Sequence, residues 1–557
     1  MNRLDVIKKC LSKFETIVIT EEFTTNEVSI INGKIGVVNV IDSEPLEFEV
    51  VIYPFYPYKI RESESIQFIN KDLINYNHIM EGGFICIHSP HNKDIKKKFE
   101  ADLKSLLIWV DKYYVNKEKD NHYEHIIVPK NSIDNRGFYS FFFTDIEFKF
   151  RKDEYGYVQY TDLFSGKYEK SVSLNYTVRH FFSKDEVFIE SCNWSQSFNV
   201  LLDSRDIKTG YYYFLDEVPA NGKFIIEKWS EFNTKVSRDF FKFLYQKNKS
   251  LDNTIQVNEL VPLFFGYRIP NNKIHWQVAI LKAGQFPIVS VKHHKIWHGI
   301  FSEEKINWTI TDNCSYDNFF GRGRLTDKLI TGKILILGIG AIGSIVAKTL
   351  VRGGARNIEL NDFDVKTPEN VCRSEYSFIS GNSNKSDDLS RELTFISPFV
   401  DVYVSDTELW NGTLKSYALK TKDSKKELKE FLEDYSLIFD CSTDNDLMSI
   451  FNDMELSNII NISITNKAKA LVCAVEPNSY KWVINQFSDI LDNDRVDLYN
   501  PTGCWNPTFR ASYNDINTLV QYAIHQINLK LSIEKPLRNF VLEVNEKDNF
   551  NIILKEF

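Results

Sequence analysis

The feature that most constrains this chain is an apolar run broken by a glycine turn. Ile334-Leu335-Ile336-Leu337 has the composition of a buried strand and leads directly into Gly338-x-Gly340-x-x-Gly343-Ser344. Ile342, Ile345, Val346, Thr349 and Leu350 then recur at helical spacing, and a second short strand, Ile358-Glu359-Leu360, ends in Asp362 and Asp364. Strand, glycine turn, helix and strand make the start of a nucleotide-binding βαβ unit. Glycines there let backbone N–H groups approach a phosphate at a helix N-terminus. Nineteen residues separate Gly343 from Asp362, which suits a carboxylate on a ribose hydroxyl pair.

On the glycine turn alone, a NAD-dependent oxidoreductase is the default expectation. The charges that follow shift the balance. Asn370, Arg373 and, twelve residues on, Lys385 set an amide and two cations just past the acidic strand end. Hydride transfer needs no such group, whereas attack at the α-phosphorus of a polyphosphate needs its negative charge neutralised. Leu437-Ile438-Phe439 then runs into Asp440-Cys441-Ser442-Thr443-Asp444-Asn445, which places Asp444 for a Mg²⁺ ion bridging phosphates.

These residues together resemble the ThiF/MoeB superfamily of ubiquitin-activating enzymes, whose pattern is GxGxxGS, DxD, NxxR, a lysine about twelve residues later and an Asp-Asn pair after a later strand. Ser374 stands where that family usually has Gln, and Ser442 lengthens the last motif by one residue. The resemblance implies ATP and Mg²⁺ as cofactors. It also implies that an arginine from the upstream Phe319-Phe320-Gly321-Arg322-Gly323-Arg324 segment reaches ATP across a homodimer; Arg322 and Arg324 are the two candidates. Many relatives carry paired CxxC motifs for zinc. The eight cysteines here are scattered with no such pair, so neither zinc nor a disulfide framework is expected.

The first 126 residues have a different pattern: an amphipathic helix (Leu4, Ile7, Leu11, Phe14), then strand-like runs at 27–31, 34–41, 46–53 and 65–69. Asn32-Gly33 is expected to turn the first hairpin. A loop containing His78 follows, then Gly82-Gly83-Phe84-Ile85-Cys86-Ile87, then a helix with Ile95, Phe99, Leu103, Leu106 and Val110 on one face. This layout resembles ubiquitin-conjugating enzymes, which implies that Cys86 carries a thioester. His78 stands eight residues before the cysteine, where that family has an Asn that stabilises the oxyanion; an imidazole there can donate the same bond, and whether it also takes a proton from the incoming amine is left open by the sequence. His88 and His91 read as surface residues.

Residues 127–310 form an aromatic-rich linker or interaction domain whose fold the pattern does not give; His293, His294 and His298 there read as loop and surface residues. The third unit, 311–557, carries a strong helix pattern late in its sequence (Ile516, Leu519, Val520, Ala523, Ile524, Ile527). Before it, Cys504 sits in a Gly/Pro-bounded loop, where a thiolate is favoured. Activating enzymes carry their thioester cysteine on such a crossover loop, so Cys504 is the expected nucleophile. Cys441 and Cys473 read as core, and Cys372 as a bystander beside the nucleotide.

The fold class is thus α/β and α+β: a ubiquitin-conjugating-like domain (1–126), a central domain (127–310) and a Rossmann-like adenylation domain (311–557). A conjugating module followed by an activating module resembles the fusion proteins of bacterial CBASS anti-phage operons. That likeness implies ATP-dependent adenylation of a partner's C-terminus, with a cGAS-like nucleotidyltransferase as the partner. The acyl group would pass to Cys504, then Cys86, then a lysine or other amine. A scaffold with decayed modules is the other alternative. The formal charge of −9 offers no basic footprint for nucleic acid. No apolar run is long enough to span a bilayer, and the opening helix lacks signal-peptide character. The chain is therefore expected to be cytoplasmic.

Overall fold

The computed structural model describes residues 3–38, 40–41, 44–59, 64–118, 139–144, 150–163, 167–168, 171–172, 174–221, 224–252, 259–269, 273–293, 296–405, 414–415, 417–419, 422–475, 479–493, 511–545 and 550–557. Its described residues build three units, each with its own sheet.

In the first unit, α1 (Arg3–Leu11) precedes an antiparallel meander of β1 (Ile17–Thr25), β2 (Ile31–Val37), β3 (Leu46–Ile52) and β4 (Ile66–Ile69), in that order across the sheet. The first hairpin does not turn at Asn32-Gly33. Both residues lie inside β2, with Asn32 opposite Thr24, and the turn is made at 26–30, where Asn26 Oδ1 accepts from Ile30 N. Gly33 is glycine for packing: a Cβ there would come within 2.6 Å of the Phe23 ring. After β4 the chain loops back through two single bridges, Ile69 to Phe84 and Ile79 to Ile85. It then enters α2 (Ile95–Trp109), whose Phe99, Leu103 and Leu106 close the core over the sheet.

The middle unit is a mixed sheet of eight strands. The strands are β5 (Tyr139–Phe143), β6 (Tyr155–Asp162), β7 (Leu174–Ser183), β8 (Phe188–Ser191), β9 (Ile207–Asp216), β10 (Leu260–Ile269), β11 (Lys273–Lys282) and, past a separate hairpin of β12 (Ile288–His293) and β13 (Ile296–Phe301), β14 (Ile310–Asn313). The order is β11-β10-β9-β6-β7-β5-β14, with β8 paired to β7. Alternation sends Tyr212, Phe214 and Phe264 to one face and Tyr211, Tyr213 and Phe265 to the other, so both faces carry aromatic cores. Helix α4 (Arg238–Asp252) covers the second face, and α3 (Gln196–Asp203) lies at the boundary with the third unit.

In the third unit, β15 (Lys333–Leu337), α5 (Ala341–Arg352), β16 (Asn357–Asn361), α6 (Lys385–Ile396) and β17 (Asp401–Val404) form one half of a doubly wound sheet. Helix α7 (Lys422–Glu433), β18 (Leu437–Asp440), α8 (Asn445–Met454) and β19 (Ile459–Ile464) continue it. An antiparallel extension follows: β20 (Ala470–Ala474), α9 (Tyr480–Asn493), α10 (Tyr513–Ser532), β21 (Phe540–Asn545) and β22 (Asn551–Glu556). The order is β17-β16-β15-β18-β19-β20-β21-β22, with the first five strands parallel. Ile334 and Ile336 face the helices α5 and α10, while Leu335 and Leu337 face α7 and α8. Burial on both faces explains why β15 is apolar throughout.

The middle and third units share a seam. Ser195 N donates to Pro398 O at 2.9 Å, Ser197 N to Asp401 Oδ1 at 3.0 Å, and Val402 N to Ser197 Oγ at 3.0 Å. Trp194 packs its ring on Phe399. The start of α3 therefore covers the edge strand β17. No helix among the described residues is long and apolar enough to cross a membrane.

Candidate functional sites

The strand order reverses beside β15, and ligands of doubly wound sheets bind at such a switch point, beyond the strands' C-terminal ends. Here the turn after β15 and the turn after β18 meet. Gly338 has φ +71°, and a Cβ on it would lie 2.5 Å from Ser442 Cα. Gly343, in the first turn of α5, lies so close to Gly338 O that a Cβ would stand 2.1 Å from it. Gly340 caps α5 with open space around its Cα, which leaves the helix's first N–H groups approachable.

Asp362 closes this turn from the neighbouring strand: its Oδ2 accepts from Ile339 N at 2.9 Å and its Oδ1 from Asp364 N at 2.8 Å. Lys385, the buried first residue of α6, lies between the two carboxylates, 2.8 Å from Asp364 and 3.9 Å from Asp362. Burial raises the Asp362 carboxyl above its ordinary value, and the distant Lys385 only partly opposes this. The group carries one ammonium to two carboxylates, so an anion entering here must bring or meet further positive charge.

The 370–376 segment is bolted to the glycine turn. Tyr376 donates to Ile339 O at 2.6 Å, and Glu375 N donates to Ser344 Oγ at 3.2 Å. Ser344 is fully buried, so its hydroxyl serves this joint. Lys348, nearly buried on α5, donates to Glu375 O and lies 3.3 Å from Glu392. Asn370 uses its amide oxygen to accept from Thr367 N at 3.0 Å, which leaves the NH₂ end to donate to a ligand. Arg373 follows half-exposed, and Ser374 turns its hydroxyl back to Asn370 O. Sequence reasoning missed Lys348 and Tyr376 as positioning residues; a lysine within the apolar periodicity of α5 was the available signal.

Beyond β18, Asp440 is buried and takes bonds from Ser442 N, Ser442 Oγ and, at 2.9 Å, Asn461 Nδ2. Burial raises its carboxyl above the ordinary value. The Asp440–Ser442 bonds and a left-handed Thr443 (φ 57°) absorb the extra residue in this motif. Asp444 N-caps α8, its Oδ1 accepting from Asp446 N and Leu447 N. One carboxylate oxygen is thus committed to the helix. A single carboxylate fits a hard cation that arrives with its phosphates, not a preformed cage; among the described residues no cluster of three or more metal-ligating side chains is assembled.

Arg322 and Arg324 lie on an exposed turn after a short helix, Tyr316–Phe320. Arg324 stands 3.5 Å from Asp327. Cys504 lies outside the described residues. Cys441 and Cys473 are buried, and burial pushes both thiols up, away from thiolate character. Cys372 is exposed. His293 and His298, expected on loops, instead end β12 and lie within β13, respectively, and His294 lies outside the described residues.

In the first unit, Cys86 is half-buried, and its N–H donates to His78 O at 2.8 Å. His78 itself has φ 59° and lays its ring against Tyr113, centroids 4.7 Å apart. His88, read from sequence as a surface residue, is exposed, yet its Nε2 stands 3.6 Å from Cys86 Sγ. Positions i and i+2 of an extended segment point the same way, which is the signal that could have found it.

The ThiF family profile matches residues 315–474. Among curated proteins, the ATP-dependent ubiquitin transferase-like protein Cap2 of Enterobacter hormaechei is 25% identical over 225 residues, 39% of this chain and 35% of that protein. The chain thus spans about a third of that relative. The molybdopterin-synthase adenylyltransferase of Haemophilus influenzae is 23% identical over 235 residues, 41% of this chain and 86% of that protein. Among solved structures, E. coli MccB with ATP matches at 17% identity over 41% of this chain and 65% of its own, with a TM-score of 0.29, too low for the superposition to bear on the site. With the five parallel strands and the glycine turn, the profile match gives the conclusion that the C-terminal half of this chain carries a Rossmann-like ThiF domain.

Proposed function

We propose that the chain is an ATP-dependent protein-conjugation enzyme. The observation that carries this reading is the meeting, at one switch point, of the glycine turn, the Asp362–Lys385–Asp364 group, the bolted 370–376 segment and the Asp440–Asp444 turn. Asp362 takes the ribose hydroxyls, Gly338, Gly340 and Gly343 admit the phosphates to backbone N–H groups, and Asn370, Arg373 and Lys385 offset charge at the α-phosphate. Ser344 and Asp364 hold that set in place. Mg²⁺ held by Asp444 and phosphate oxygens would neutralise charge developing on the leaving pyrophosphate.

A carboxylate oxygen from a partner protein's C-terminus attacks the α-phosphorus, and pyrophosphate leaves. The Cys504 thiolate attacks the acyl carbon, releasing AMP. Cys86 takes the acyl group by thioester exchange, with His78 donating to the oxyanion, and a lysine or other amine receives it. Arg322 or Arg324 reaches ATP across a homodimer in the cytoplasm. The order of the modules and the similarity to a ubiquitin transferase-like protein support a cGAS-like nucleotidyltransferase in anti-phage defence as the acylated partner. The oxidoreductase alternative leaves Lys385 and the bolted Asn370–Arg373 segment without a task.

The test is intact-mass spectrometry of the chain with ATP, Mg²⁺ and an operon-encoded neighbour. A thiol-labile adduct, lost in Cys504→Ala and accumulating on Cys504 in Cys86→Ala, is expected. No adduct with any neighbour and no ATP–pyrophosphate exchange would remove this reading and leave the scaffold.

A further inference from the structure

We propose that His88 is the proton acceptor of the Cys86 thiol, so that this loop carries a cysteine–histidine dyad; the inference rests on Cys86 being an acyl carrier. The Nε2–Sγ separation of 3.6 Å is within reach of a hydrogen bond to sulfur. The backbone behind the imidazole is fixed. Ser105 Oγ donates to His88 O at 2.9 Å, and the next residue, Ser89, is held by a buried ion pair on α2. Lys98 and Asp102 are 2% and 0% exposed, stand 2.5 Å apart and both bond Ser89 Oγ. Tyr56 donates to the second oxygen of Asp102 at 2.7 Å. A polar group this deep in a core is costly unless its bonds are met, and meeting them through Ser89 holds the path of 88–89.

Other titratable groups flank the loop. His78 lies on the bridged segment with its ring against Tyr113, and Lys112 stands over the Tyr113 ring; the His91 ring is tilted against Tyr58. Asp102 is engaged by Lys98, Tyr56 and Ser89, so it serves the backbone of the loop and not the imidazole.

The proton balance closes in both half-reactions. In loading, the Sγ proton passes to Nε2 and the thiolate forms a new C–S bond at the donor thioester. Collapse breaks the old C–S bond, and the departing thiolate takes the proton from the imidazolium. In transfer, the amine nitrogen forms a C–N bond to the acyl carbon and loses a proton to neutral His88, the C–S bond to Cys86 breaks, and the thiolate takes that proton.

The experiment follows alkylation of Cys86 by iodoacetamide against pH in the full chain, read on the Cys86 peptide by mass spectrometry, for wild type and His88→Gln. The wild-type curve should rise at least about one pH unit below that of the variant, which should titrate near the ordinary thiol value of about 8.5. The high-pH rates should agree within about threefold, as the lower nucleophilicity of a more acidic thiolate requires. Coincident curves would overturn the dyad. The adduct assay separates the two ideas. A displaced curve without any ATP-dependent adduct keeps the dyad and removes the acyl carrier; coincident curves with an adduct do the reverse.

Discussion

Two lysine–aspartate pairs among the described residues are almost wholly buried, one beside each proposed reaction centre, and they work differently. Lys98 and Asp102 lie one turn apart on α2 and fix the loop after Cys86 from a single helix. Lys366 and Asp388, each 1% exposed, come from different elements and tie three together. Lys366 donates to Ser377 O at 2.8 Å and to Ser380, while Asp388 also takes Arg391 at 2.6 Å. The first pair steers a few residues. The second holds the whole 363–380 excursion that follows β16 against α6. The lesson is one of reach: a pair within one helix sets a local path, whereas a pair between elements sets how those elements assemble.

The largest break should come from Asp388→Leu, which strands a buried ammonium and should cost about 3–5 kcal/mol; urea unfolding and lost ATP–pyrophosphate exchange would read it. Lys98→Met leaves Asp102 two hydroxyl donors, so its cost should be nearer about 3 kcal/mol, with hydrogen exchange rising at 84–93 and not at 363–391. A third contrast uses pH. Burial alone would raise the Asp388 carboxyl, but the Lys366, Ser380 and Arg391 bonds outweigh it and hold it below its ordinary 3.8. Its contribution is therefore full above that value and lost as pH falls through the lower, folded-state one. Melting temperature against pH should show this acid limb, and Asp388→Asn should flatten it. The smallest effect should be Ser105→Ala, about 1 kcal/mol, visible as a partial shift of the Cys86 alkylation curve toward that of His88→Gln.

What was legible in the sequence was local and contiguous. The glycine turn, Asp362, Asn370, Arg373 and Lys385 lie within one βαβ stretch, where short-range pattern maps onto place. Asn32-Gly33 misled because a hairpin signal was strong while the real reason for Gly33, the Phe23 ring packed on it, is a cross-strand contact. The middle sheet was unreadable for a similar reason: β14 pairs with β5 from the far end of the unit, and β9 and β10 pair in parallel across a helix. Asp444 showed its carboxylate in sequence but not its task of capping α8, and His88 looked like surface because its partnership depends on the direction of an extended backbone.

The seam at α3 bears on how the third unit would stand alone. The Val402 N–H, which an open sheet edge would offer to any passing strand, is spent on Ser197, and Phe399 is sheltered under Trp194. The middle unit thus occupies an edge of the ThiF sheet that would otherwise be open to pairing. Residues 315–557 without the middle unit would present that edge unguarded, with the Val402 N–H open to another strand.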